Sequence, residues 1–195
     1  MKKFLLFIAF TLLTTIMHAE KIVATYTLSG TTRNIEAGID SKGALNVFIQ
    51  VVGEDSDYVM LRVTGETDIN KFRNQLAYCK KKFIEWEQVA KSNRVSDFKK
   101  GIDAIFPDVE VWWVGLEWYS SYKNNYIKPL FLVNSGDASF GAYGAVKHWN
   151  NEFITQSFYI LFETANEIQS LIDALNISKI KASLNRDMET DALFQ

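Results

Sequence analysis

Between residues 64 and 69 the hydrophobic period of this chain changes, and that change limits its folds more than any other feature. Before it, apolar residues alternate. Residues 21–28, 32–40, 44–52 and 58–64 read as strands. Ile35, Ala37 and Ile39 share one face, as do Leu45, Val47, Ile49 and Val51, and then Val59, Leu61 and Val63. Ser41-Lys42-Gly43 and residues 53–57 carry turn chemistry. After the change, Ile69, Phe72, Leu76, Cys79, Phe83, Trp86 and Ala90 step by three and four residues. That single apolar stripe predicts a helix over 68–92, capped by Thr67 or Asp68 and ending near Asn93. Such a helix is roughly 37 Å long, enough to cross a whole sheet.

Strands resume after a connector at 96–108, over 109–118, 126–134, 139–149 and 154–163. A second helix is expected over 165–175, with Ile168, Leu171, Ile172 and Leu175 inward, and the polar residues 185–195 are expected to fray. YVMLRVTGETDINKFRNQL, from Tyr58, and SFYILFETANEIQSLIDAL, from Ser157, superpose without a gap, placing Ile69, Phe72 and Leu76 on Ile168, Leu171 and Leu175. Any two strand-to-helix transitions share some of this. The reading is nevertheless a twofold internal repeat of a β-β-β-β-α unit, over 20–95 and 109–180, within one α+β domain of antiparallel sheets and two helices at 20–195.

Two resemblances attach to these segments. Residues 80–102, KKKFIEWEQVAKSNRVSDFKKGI, look like a segment of uncharacterised small secreted bacterial proteins, a family whose function is unknown. The paired β-β-β-β-α units resemble the topology of Whirly-type single-stranded-DNA-binding proteins, a likeness of arrangement that does not carry function.

The first nineteen residues stand apart. Lys2 and Lys3 precede an apolar run over 4–16, and Met17-His18-Ala19 places a small residue before Glu20, the layout of a secretory signal peptide cleaved near Ala19. The run is shorter than the ~20 residues that span a bilayer as a helix. The mature chain is thus expected to be periplasmic or secreted, and not membrane-spanning. Without Lys2 and Lys3 the 21 basic residues fall to 19 against 23 acids, a balance that opposes partners bound through phosphate neutralisation. One cysteine, Cys79, excludes an intrachain disulfide despite export. With His148 as the only histidine beyond residue 19, Cys/His zinc sites and two-histidine metal motifs are excluded, and no cofactor motif is present.

VEVWWVGLEWYSSY, residues 109–122, poses the functional question, because Trp112, Trp113 and Trp118 are either core or a surface awaiting a ligand. Parity puts Glu110, Trp112, Val114, Leu116 and Trp118 on a plausible core face and Val111, Trp113, Gly115 and Glu117 on the other. Phe158, Ile160 and Phe162 oppose Tyr159 and Leu161 in the last strand, and Phe140, Val146 and His148 oppose Tyr143, Lys147 and Trp149 in the strand before it. The second half is therefore apolar on both faces. A long single-stripe helix needs a partner surface, so the expectation is that helix 68–92 covers Trp113, Tyr143, Trp149 and Tyr159. The alternative leaves part of that face open as an aromatic patch, with Gly115, Gly141 and Gly144 making room for a ligand or another backbone.

Catalytic chemistry finds little support. His148 has no nucleophile-elbow sequence to serve, and Glu110 and Glu117 differ in parity, a poor acid/base pair. Glu117 with Glu152 or Asp137 is not recommended by spacing. Glu54, Asp55 and Asp57 lack a full calcium loop and read as a solvated turn. Lys80-Lys81-Lys82 reads as a solvated helix face diluted by Glu85 and Glu87, and Cys79 as a buried, inert thiol. Pro129 inside an apolar run marks an edge strand or bulge, where a partner strand could add. The expected function is an exported, non-enzymatic binding domain for a protein or glycan, able to form a homodimer. Trp113, Tyr143, Trp149 and Tyr159 are its candidate face. The alternatives are an extracytoplasmic hydrolase using carboxylates the sequence does not identify, and single-stranded nucleic-acid binding.

Overall fold

Leu28 and Thr31 close the first hairpin around Ser29 and Gly30, at φ 46° and 72°. A two-residue turn between right-twisted strands demands this left-handed pair. The computed structural model describes residues 20–53, 59–113, 127–148 and 151–192, and the side chains of 113, 145–148, 151–156 and 187–192 lie outside that description. The hairpin joins β1 (Lys21–Leu28) to β2 (Thr31–Ile39), and β3 (Leu45–Gly53) and β4 (Val59–Thr64) continue the meander. Residues 54–58, with the acidic turn Glu54 to Asp57, lie outside the described residues.

The chain then enters α1 (Glu66–Ser92) through Gly65, which serves as N-cap at φ 86° and donates its amide to the Leu45 carbonyl at 2.8 Å. Thr67 and Asp68 were expected to cap. The positive φ of this corner excludes them, because only glycine takes it without strain. The predicted stripe is buried: Ile69, Phe72, Leu76, Cys79 and Phe83 are almost fully enclosed, Ala90 nearly so, and Trp86 half-buried. Asn93 ends the helix as expected, donating its amide to the Val89 carbonyl.

The expected connector contains a short strand, β5 (Phe98–Gly101), before β6 (Glu110–Trp113). A second meander follows: β7 (Lys128–Asn134), β8 (Asp137–His148) and β9 (Asn151–Phe162). α2 (Ala165–Ala174) starts at a capping box, Thr164 with Glu167. A third helix, α3 (Ile177–Ala192), corrects the expectation of two helices and, for residues 185–192, that of a frayed tail, while 193–195 lie outside the described residues. Ile177, Ile180 and Leu184 step by three and four, Ile180 and Leu184 are buried, and Asn176 Oδ1 accepts the Lys179 amide.

The fold is α+β, and every strand pairing among the described residues is antiparallel. The described strands form a nine-stranded sheet ordered β1-β2-β3-β9-β8-β7-β5, with β4 paired to β3 and β6 to β4. β3 is the hinge of this arrangement. Its residues 46–51 pair with β4, and its last two, Val52 and Gly53, pair with Tyr159 and Phe158 of β9. Pairing with β4 removes β6 from the meander of the second half. It also fixes β6's facing. Val111 lies opposite Leu61 and is fully buried, as is Val109, while Trp112 lies opposite Met60. The parity expectation of a core face through Glu110 and Trp112 is therefore reversed. Residues 114–118 lie outside the described residues.

All three helices pack on one side. α1 lies on β4, β7 and β8, α2 on β1, β9 and α1, and α3 on β1 and β2. Beneath them Phe131, Phe140 and Phe162 stand opposite one another across β7, β8 and β9. Phe140 and Phe162 stack with centroids 5.9 Å apart, and Phe83 and Trp86 reach down from α1 to Phe131 at 6.1 and 5.7 Å. The helix stripe interlocks with the phenylalanine ladder. The strand pleat turns Tyr143 and Tyr159 to the other side, so α1 does not cover them, contrary to expectation.

Candidate functional site: an open tyrosine face

The face turned away from the helices differs between the two halves of the sheet. In the first half it is closed by its own side chains. Phe48 and Met60 are buried there, Trp112 meets Phe48 edge-on at 5.8 Å, and the Arg62 guanidinium lies 5.1 Å over the Trp112 ring while pairing with Glu110. Glu110 is thus committed to an ion pair. Met60, which alternation sets beside Arg62 and away from Leu61, is buried on this face together with Phe48.

In the second half no described element covers the face. Tyr143 lies directly opposite Tyr159 in the β8–β9 ladder, and the two are 41% and 43% exposed. Their row extends to Lys128 on β7 and to Val52 on β3. One step along the strands, Leu130, Gly141 and Leu161 form the next row, and Leu132 lies opposite Ser139 beyond it. These leucines are half-buried. Two adjacent rings with hydroxyl tips, set among aliphatic side chains, make a flat surface that offers area at little cost in conformational entropy.

Of the four residues expected on this face, the structure brings Tyr143 and Tyr159 together. Trp113 lies in β6, opposite Val59, with the β4 and β3 strands between it and β9. That backbone separation is roughly 14 Å at one strand spacing per step. Trp149 lies outside the described residues.

Two of the glycines expected to make room for a ligand, Gly141 and Gly144, are filled from within, and Gly115 lies outside the described residues. A Cβ on Gly144 would come within 2.5 Å of the Phe158 ring, and one on Gly141 would meet Leu132 at 3.3 Å and Leu161 at 3.8 Å. Phe158 takes the space over Gly144, so these glycines serve packing. Pro129 also changes role. β7 is flanked by β8 and β5, and the β5 ladder ends at Gly101 opposite Leu130, one residue short of Pro129. The residue that cannot donate sits where the ladder stops.

Two recesses escaped the sequence reading. A groove of about 730 Å³ is lined by the loop at 101–108 and the start of β7, its charged groups being Asp68, Lys71, Asp108 and Lys128, and Ile105 in its wall is 72% exposed. A second, of about 410 Å³, opens between α1 and β5, with Trp86, Val89 and Phe98 in its wall. Only the exposed Phe98 in a stretch read as connector could have signalled it. Cys79 is buried as expected, and burial pushes its thiol up to about 12. Lys80 donates to Gln169 Oε1 at 2.7 Å and Lys82 pairs with Glu85 at 2.9 Å, so two of the three lysines engage neighbours. No group of three or more His, Cys, Asp or Glu side chains suited to a metal occurs among the described residues, and no helix there is long and apolar enough to cross a membrane. The chain matches no family model, and neither a curated protein nor a solved structure is significantly similar to it.

Proposed function

We propose that this chain is an exported, non-enzymatic binding domain that takes a protein partner on the outer face of β7, β8 and β9. The observation that carries the proposal is the exposed pair Tyr143 and Tyr159 on a face with no described element packed over it. The surroundings favour a protein over a glycan. Leu130, Leu132, Leu161 and Val52 supply aliphatic area around the rings, the make-up of an interface core. A sugar platform needs side-chain amides and carboxylates close beside its rings, and on the described part of this face Asn134 and Asp137 stand at the far end of the β7–β8 hairpin, beyond Leu132 and Ser139, leaving Lys128 and Ser157 nearest the tyrosines. Export rests on the basic, apolar and small-residue succession of residues 1–19.

The duplicated β-β-β-β-α unit also belongs to this reading. Arg73 Nε donates to the Ile172 carbonyl at 2.9 Å across α1 and α2, and these two residues are separated by the same 99 positions that superpose the sequence halves. The pairing of β6 with β4 is where the second unit departs from the first.

The test is a photocrosslinking residue in place of Tyr143, compared with one at Lys42 on the far hairpin, in the producing cell. A partner captured from position 143 and not from 42 should bind the purified chain and lose at least roughly tenfold in affinity to Tyr143→Ser with Tyr159→Ser, the cost of two central anchors. Equal affinity of a folded double variant would refute the site. Retention on a glycan array, abolished by the same variant, would replace the protein by a sugar.

A further inference from the structure

We infer a second binding site at the lip between α1 and β5, built to take an extended acidic peptide segment as an added strand. Among the described residues β5 ends the sheet and pairs only with β7, and all four of its residues are exposed. Its register gives its geometry. Lys100 lies opposite Phe131 and Phe98 opposite Val133, so both continue the helix-side face outward. Lys99 and Gly101 take the other face. Ile102 donates its amide to the Pro129 carbonyl at 2.9 Å. Hydrogen bonding alternates along an antiparallel pair, so residues 98, 100 and 102 bond inward and Lys99 and Gly101 present their N–H and C=O groups to the open edge. An incoming strand would find a ladder ready.

Above the same edge, α1 overhangs. The Trp86 ring rests on Phe131 and carries the Lys100 ammonium 4.3 Å from its centroid, and Val89 and Phe98 stand half out in solvent at 55% and 48%. The recess of about 410 Å³ between them would lie over the side chains of any strand added to β5. Alternate residues of that strand would enter beneath Trp86 and Val89, and the intervening ones would stand beside Lys99.

Charge selects the occupant. Glu85 and Glu87 on the helix are already paired with Lys82 and Lys91, at 2.9 and 2.7 Å, and Lys99 makes no ion pair among the described residues. Asp97 is the one acid in the stretch from Ser96 to Gly101. A second copy pairing through its own β5 would set lysines against lysines, which cross-strand pairing disfavours. A segment alternating acidic and apolar residues meets both the lysines and the recess.

Calorimetric titration of the mature chain tests this with a short, capped peptide alternating glutamate and leucine. Saturable binding is expected, weakened at least roughly tenfold by Gly101→Pro, which removes an outward amide from a non-bonded edge position, and by Lys99→Glu. Methylating alternate peptide amides should abolish binding, and Tyr143→Ser with Tyr159→Ser should leave it unchanged. The Lys99→Glu and methylated-peptide arms decide the matter if Gly101→Pro does not fold. Absence of saturation, equal binding of a lysine–leucine peptide, or binding indifferent to both edge changes would overturn the proposal. So would self-association of the chain that Gly101→Pro abolishes, since a second copy would then hold the edge.

Discussion

Tyr143 and Tyr159 face each other across the β8–β9 ladder with both rings in solvent, while one residue along, Gly144 lies opposite Phe158 in the core. A single step of the pleat separates a surface from an interior. Replacing both tyrosines by serine should therefore cost stability little, about 1 kcal/mol or less, since cross-strand aromatic pairs are worth ~0.2–1 kcal/mol. Denaturant titration checks this, and a large loss would mean that the rings are structural.

The neighbouring position should behave oppositely. A methyl on Gly144 would press into the Phe158 ring, which is fully enclosed and cannot swing away. Gly144→Ala should destabilise by about 1–3 kcal/mol, the usual cost of overpacking. Gly101→Ala, where nothing stands within 4 Å, is the control and should change stability by less than about 1 kcal/mol.

Glu167 joins distant parts of the chain. Its carboxylate accepts the Gly30 amide at 2.7 Å from the first hairpin, and the Glu163 and Thr164 amides at 2.7 and 3.3 Å from the start of α2. Glu167→Ala would leave these part-buried N–H groups without their acceptor, at up to about 1–3 kcal/mol for each one that water cannot reach. Hydrogen exchange should show Gly30 losing protection together with the start of α2; loss at α2 alone would mean that the carboxylate does not hold the hairpin.

Alkaline pH should destabilise the fold. Burial raises both the Cys79 thiol, to about 12 from its ordinary 9.0, and the Tyr26 hydroxyl, which donates to the Gln50 carbonyl. In each case the unfolded chain releases its proton at lower pH than the folded one, so the stability is complete below pH 9 and falls as pH rises through 9 and 10. Cys79→Ala should remove the earlier part of that fall. Thiol alkylation at mildly alkaline pH should proceed only at the rate of unfolding, and rapid labelling of the folded chain would contradict the burial.

The period change at residues 64–69 carried much of the fold, because strand pleat and helix turn impose different spacings on any apolar face. The stripe from Ile69 to Ala90 and the facing of Phe158, Ile160 and Phe162 follow directly. What parity could not convey was which of two apolar faces the helices would choose. That depended on shape, on Phe83 and Trp86 fitting the ladder of Phe131, Phe140 and Phe162. Nor could it show that β6 joins β4, a long-range pairing that turned Val111 inward and Trp112 out. Tyr143 and Tyr159 were legible as neighbours; the recess beside Phe98 was not, because a four-residue exposed strand leaves no pattern.

Hydroxyl-radical footprinting of the chain, free and with its captured partner, tests the central claim most directly. In the free chain Tyr143 and Tyr159 should oxidise readily while Tyr26 stays protected, and the partner should suppress oxidation at the two exposed rings and their flanking leucines. Protection of Tyr143 and Tyr159 in the free chain, or undiminished oxidation with the partner bound, would contradict it.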